Sequence, residues 1–79
     1  MQPAVKIYST PTCVFCKMAK EFFKEHGVKF TEVDVAVDES AAQEMIDKTG
    51  QMGVPVIEVG EKVIIGFDKP QLKKLLSLK

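Results

Sequence analysis

The sequence carries no excess of either charge: 11 basic residues face 11 acidic ones over 79 positions. A nucleic-acid binder normally shows a basic face or stripe, so the balance argues against that class. Long apolar runs are missing as well. None approaches the ~20 residues that a membrane-spanning helix needs. Residues 1–8, MQPAVKIY, lack the charged start, apolar stretch and small-residue cleavage site of a signal peptide, which leaves the cytoplasm as the expected location. There are no internal repeats and no compositionally biased tracts. Length adds a further bound. Residues 1–79 hold one domain, with no room for a second core.

Metal ligands are scarce. The chain has two cysteines and one histidine, whereas a zinc site takes four ligands, commonly two cysteine pairs or a pair with two histidines. His26 lies more than a helical turn from the cysteines and is expected to answer the dipole at a helix C-terminus. The cysteines, Cys13 and Cys16, are also a poor staple, since so short a loop removes little entropy from the unfolded chain. In a reducing cytoplasm structural disulfides are rare. The core must come from packing, and the cysteines need another use.

What is present is a regular alternation of strands and helices. Residues 4–8, AVKIY, alternate and favour a strand. Ser9, Thr10 and Pro11 end it, and Thr12 is placed to cap a helix from Cys13 to His26, on which Phe15, Met18, Ala19, Phe22 and Phe23 recur at helical spacing. Gly27 stands at the C′ position. Residues 29–35, KFTEVDV, form a second strand, parallel to the first because a whole helix joins them. Ser40 and Gln43 fit a capping box for a helix reaching Thr49. Residues 54–59 and 62–65 read as a hairpin about Gly60 and Glu61. Asp68 and Gln71 cap a last helix, with Pro70 in its first turn and Leu72, Leu75 and Leu76 on its packed face. The predicted order is βαβαββα, an α/β domain.

A helix beginning at Cys13 sets its sulfur beside the free N–H groups of the first turn, where partial positive charge stabilises a thiolate. Cys16, one turn on, lies on the same face and deeper. The two thiols are therefore unequal, as thiol–disulfide exchange requires. A free thiol of pKa ~8.5 is roughly 3% ionised at pH 7. Lowering the pKa to about 5 raises that fraction about 30-fold, but intrinsic nucleophilicity falls by a similar factor. The larger gain is as a leaving group. In this reading Cys13 attacks a target disulfide and Cys16 then attacks Cys13, releasing the reduced target. The bland alternative is a pair of inert core cysteines.

In this setting the chain resembles the thioredoxin superfamily, closest to the small glutaredoxins and glutaredoxin-like redoxins. The resemblance spans nearly the whole chain. It rests on Cys13-Val14-Phe15-Cys16 opening a helix after a strand, Gly53-Val54-Pro55-Val56 opening a later strand, and Gly66-Phe67-Asp68 before the last helix. It implies a thioredoxin fold, a four-stranded mixed sheet flanked by three helices. It implies a dithiol–disulfide oxidoreductase with catalytic Cys13 and Cys16, which form the redox disulfide, and no bound cofactor. It also implies that Pro55 is cis beside the cysteines, so that the Val54 backbone can pair with glutathione or an extended peptide. Thr12, Phe15, Lys17, Val54, Pro55, Gly66, Phe67 and Asp68 would line that groove. Four of them have a plainer reading: Lys17 as a solvated helix lysine, Pro55 as a trans proline at a strand start, Gly66 as a turn glycine, Asp68 as a cap alone.

Departures from the family pattern bear on the electron donor. Val14-Phe15 replaces the usual Pro-Tyr, Thr10 stands where a lysine or arginine often pairs with the glutathione carboxylate, and Ile65-Gly66 replaces a Gly-Gly pair, with Asp68 one position early. Gly66-Phe67 before a capped helix is similar to the redoxins recharged by thioredoxin reductase. The Trp-Cys-Gly-Pro-Cys of true thioredoxin is absent. The expected partners are disulfide-bearing proteins, with glutathione as co-substrate or a thioredoxin-type reductase as donor, acting on a monomer without surplus apolar surface. The acidic residues 34–40 and the lysines near the first helix either select partners or are solvated surface. Competing functions are an iron–sulfur or metal-binding module and a non-catalytic peptide-binding domain.

Overall fold

The computed structural model describes residues 4–50 and 53–76. The elements run β1 (Val5–Ser9), α1 (Val14–Glu25), β2 (Thr31–Asp34), α2 (Glu39–Thr49), β3 (Val56–Val59), β4 (Lys62–Ile65) and α3 (Lys69–Leu75). This is the βαβαββα order expected. The four strands form one mixed sheet in the order β2-β1-β3-β4. β1 and β2 are parallel, while β1–β3 and β3–β4 are antiparallel.

β1 is central and covered on both faces, which explains its nearly continuous burial. On one face Val5, Ile7, Ile57, Val59 and Ile64 pack against Ala19, Phe22 and Phe23 of α1 and Leu72 of α3. On the other, Tyr8 and Val56 meet Ala41 and Met45 of α2. At ~25 cal/mol per Å² these apolar faces are the main favourable term. The Tyr8 hydroxyl, though buried, donates to Glu58 Oε1 at 3.0 Å. Lys48 of α2 bridges Glu58 at 2.8 Å and Glu44 at 2.9 Å. Among the described residues no buried side-chain polar atom lacks a hydrogen-bond partner.

Each helix starts on the same device. An acceptor at the N-cap takes the N–H three residues on: Cys13 from Cys16, Asp38 from Ala41 and Asp68 from Gln71. Two of the expected caps are thereby corrected. Thr12 does not cap α1; Cys13 itself, in extended conformation, takes that place and lies outside the helix rather than at its start. Ser40 lies inside α2, because the Asp38 carboxylate takes the Ala41 N–H and begins the helix earlier. Asp68 and Pro70 are placed as expected. At the C-termini Gly27 (φ 65) and Gly50 (φ 74) take the left-handed conformation that glycine permits at least cost.

The strands shift modestly. β1 extends to Ser9 instead of beginning at Ala4. β2 starts at Thr31, opposite Lys6, so Lys29 and Phe30 precede the ladder. β3 starts at Val56, since Pro55 has no N–H to give to the ladder. The hairpin about Gly60 and β4 fall where the sequence places them. A larger correction concerns α1. Phe15 and Met18 are 60% and 45% exposed, and the buried stripe is Cys16, Ala19, Phe22 and Phe23. Cys16 acts as a small apolar residue and takes the core position. Surplus apolar surface therefore does exist, at Val14, Phe15 and Met18.

Candidate functional site

The strand register gathers four connections at one end of the sheet. Ser9 ends β1 opposite Asp34, which ends the parallel β2. Tyr8 lies opposite Val56, so the segment leading into β3 emerges beside the end of β1. Val56 in turn lies opposite Ile65, which puts Gly66 beside Pro55. The Gly66 N–H closes this side by donating to the Pro55 carbonyl at 2.8 Å. The turn that carries Cys13 leaves from the same end.

That turn is short. The Cys13 N–H donates to the Thr10 carbonyl at 3.2 Å, which reverses the chain directly ahead of α1. Cys13 Sγ then accepts the Cys16 N–H at 3.1 Å, and the Cys13 carbonyl accepts from the Lys17 N–H at 3.3 Å. The two cysteines are joined as a disulfide with their Cα atoms 5.2 Å apart, within the ordinary range for such a bond. Their surroundings differ. Cys13 is part-exposed, whereas Cys16 is fully buried. The outer sulfur holds a position that α2 and α3 give to carboxylates. An anion at a helix N-terminus meets free N–H groups and the positive end of the dipole.

The remaining expected site residues fall into two groups. Thr12, Phe15 and Lys17 are exposed around Cys13. Val54, Pro55, Gly66, Phe67 and Asp68 stand at the same end of the sheet, held together by the Gly66–Pro55 bond. The Val54–Pro55 peptide is cis, and Pro55 is buried. Gly66 has φ 86, and a Cβ built on it would meet nothing within 4 Å. Its backbone conformation demands glycine; crowding within the chain does not. Phe67 is half-buried and packs edge-on against Phe22 at 5.8 Å between centroids. The Asp68 carboxylate caps α3 through the Gln71 N–H at 3.2 Å. Among the described residues no three His, Cys, Asp or Glu side chains converge on a possible metal position.

Two features escaped the sequence reading. Val14 is 67% exposed, so Val14, Phe15 and Met18 leave exposed apolar surface on the first turns of α1, directly after Cys13. The residue pattern carried a signal for it, since two apolar stripes compete on α1 and only one can face the sheet. The other feature is a polar brace beneath α1. Buried Ser9 donates to Glu32 Oε2 at 3.1 Å, and Lys20 of α1 meets the same oxygen at 2.6 Å. Lys20, and secondarily Ser9, hold the Glu32 carboxyl below its ordinary value of 4.5 against an opposing effect of burial. The brace ties α1 to β2 one turn beyond Cys16. His26 behaves as expected: it is the α1 C-cap, and Nδ1 lies 2.9 Å from the Phe22 carbonyl oxygen, to which it donates.

Comparison with known proteins agrees with this geometry. The family model described as Glutaredoxin matches residues 5–64. An uncharacterised glutaredoxin-like 8.6 kDa protein in the rubredoxin operon of Clostridium pasteurianum is 44% identical over 73 residues, covering 92% of this chain and 97% of that protein. The glutaredoxin-like protein NrdH of Lactococcus lactis subsp. cremoris is 35% identical over 74 residues, covering 90% of this chain and 97% of its own length. Among solved structures, a point mutant of the thioredoxin-like protein BC3987 superposes with a TM-score of 0.89 at 28% identity, over 95% of this chain and 96% of the other.

Proposed function

Because the chain belongs to the glutaredoxin family and is a thiol–disulfide oxidoreductase of thioredoxin fold, we propose that Cys13 is its attacking thiolate and Cys16 its resolving thiol. The observation that carries this is the inequality of the pair. Cys13 is a part-exposed N-cap whose sulfur accepts the Cys16 N–H, and Cys16 is buried beneath it. The Cys13 thiolate attacks one sulfur of a target disulfide. A bond forms between Cys13 and that sulfur, and the other target sulfur leaves as a thiolate and takes a proton. Cys16 then loses its proton and attacks Cys13 Sγ. The intramolecular disulfide forms and the second target sulfur leaves reduced. Two electrons pass from the dithiol to the target, and no bound cofactor takes part.

Val54, Pro55, Gly66, Phe67 and Asp68 on one side, with Thr12, Phe15 and Lys17 on the other, form the groove for the chain that carries the target sulfur. The Val54 backbone pairs with it as with an added strand. Single-turnover reduction of a protein disulfide tests the roles. Cys13→Ser is expected to lose activity by at least about 10³-fold, and Cys16→Ser to accumulate a mixed disulfide at Cys13, seen by mass spectrometry. Full activity in Cys13→Ser would overturn the assignment.

Electrons return from glutathione or from a thioredoxin-type reductase. Two observations favour the reductase. Thr10 stands where a cation for the glutathione carboxylate would be expected, and an NrdH relative matches along nearly its whole length. The midpoint potential discriminates. Glutaredoxins lie at roughly −200 to −230 mV and thioredoxin near −270 mV. A midpoint in the lower range, measured by thiol trapping in graded glutathione buffers, is the expected result. One in the upper range would make glutathione the donor.

A further inference from the structure

Helix α1 separates its charges by side. Lys17, Lys20 and Lys24 run along the flank that faces β2, where Lys20 meets Glu32. Val14, Met18, Glu21 and Glu25 repeat at spacings of three and four on the opposite flank, toward α3. Met18, Glu21, Phe22, Glu25, Phe67 and Lys69 line a cleft there, between α1 and the start of α3. Its floor is apolar. Phe22 and Phe67 meet edge-on, and Met18 stands 45% exposed at the end nearer Cys13. Its rim is acidic on the α1 side. Among the described residues no ion pair engages Glu21 or Glu25. The ammonium of Lys69 on the other wall lies over the Phe22 ring, 5.9 Å from its centroid.

Neither carboxylate makes a close ion pair within the described residues. Like charges four residues apart repel along a helix, and an anion in the last turn opposes the helix dipole. A cation brought by a partner would relieve both. The stripe that forms the α1 wall of the cleft runs on from Met18 to Val14, the neighbour of Cys13 in the chain. Resting on the exchange reading of Cys13, we propose that this cleft is a docking site for the chain flanking the target disulfide. It receives an apolar side chain against Met18 and Phe67 and a lysine or arginine between Glu21 and Glu25. At a rise of about 1.5 Å per residue, Glu21 and Glu25 stand about 12 and 18 Å along the helix from Cys13. An extended segment covers that distance in about four to five residues at ~3.3 Å each. The preferred targets therefore carry a basic residue about four or five positions from the cysteine that Cys13 attacks.

The test uses the whole reduced protein in single turnover, which needs no electron donor. The probes are alanine-based peptides with one cysteine held as a mixed disulfide with 2-mercaptoethanol and one leucine two residues away. A single lysine, or a glutamate in its place, is walked from two to six positions on either side. Hydroxyethyl disulfide is the small reference substrate. At low ionic strength, the lysine peptide with the residue at four or five positions on one side is expected to react about 5- to 10-fold faster than its glutamate counterpart, since rim charges act chiefly on encounter. Glu21→Gln/Glu25→Gln should bring the two within about twofold, and Glu21→Lys/Glu25→Lys should reverse the preference. Both variants should reduce hydroxyethyl disulfide at the wild-type rate, which also shows that they are folded. Normal reduction of hydroxyethyl disulfide with no dependence on lysine position, or a preference that survives the double Gln variant, overturns the docking site and leaves the exchange reading intact. Failure of the wild type to reduce any of the substrates overturns both.

Discussion

Cys13 holds, at the head of α1, the place that Asp38 and Asp68 hold at the heads of α2 and α3. One chain thus uses sulfur where it otherwise uses carboxylate, and the local physics is that of an anion site. This much could be foreseen from a C-x-x-C pair opening a helix. The cap itself could not, because Thr12 is the better acceptor by type and only the turn from Thr10 to Cys13 decides between them. Gly66 shows the converse. Its surroundings are open, yet φ 86 excludes an ordinary side chain. Gly66→Ala is expected to destabilise the protein by about 1–2 kcal/mol and to disturb the Pro55–Gly66 link, with urea denaturation as the measure. A neutral effect would show that the turn adapts without loss.

At the scale of elements, α1 is set against the sheet by its apolar stripe and by the Lys20–Glu32–Ser9 brace. The signs of the charge effects fix a pH window. Glu32 titrates below its ordinary 4.5, so its contribution is complete above that value and is lost as pH falls through the lowered one. Lys48 is raised above its ordinary 10.5, chiefly by Glu58 and then by Glu44, so its contribution is complete below that value and fades only in stronger alkali. Stability from these groups is flat between the two. Glu32→Gln should lower stability by a few tenths to about 1 kcal/mol, as partly exposed pairs do. The gap from wild type should close as pH falls below 4.5. A gap that widens in acid, in urea midpoints measured across pH, would contradict the brace. The seven elements were legible because hydrophobic period and turn residues agree in each. The facing of α1 was not, because Phe15 and Met18 extend the stripe of Phe22 as well as Cys16 and Ala19 do until Cys16 is counted as core.

For the whole molecule, topology does the assembling. A parallel β1–β2 pair flanked by an antiparallel β3–β4 hairpin sends the turn before α1, the Val54–Pro55 segment and the Gly66–Asp68 segment to one end of the sheet. Sequence order shows three separated motifs, and only the register shows that Pro55 and Gly66 touch. Cys13 is part-exposed next to the exposed apolar residues Val14 and Phe15 and so within reach of a partner, while Cys16 is fully buried. The most direct measurement is the rate of iodoacetamide alkylation of the fully reduced protein across pH, with the modified cysteine identified by mass spectrometry. Cys13 should react first, with a midpoint below the ordinary thiol value of about 8.5, and Cys16 should stay unmodified on the same timescale. Equal labelling of the two cysteines, or a Cys13 midpoint at or above about 8.5, would contradict the division of labour between them.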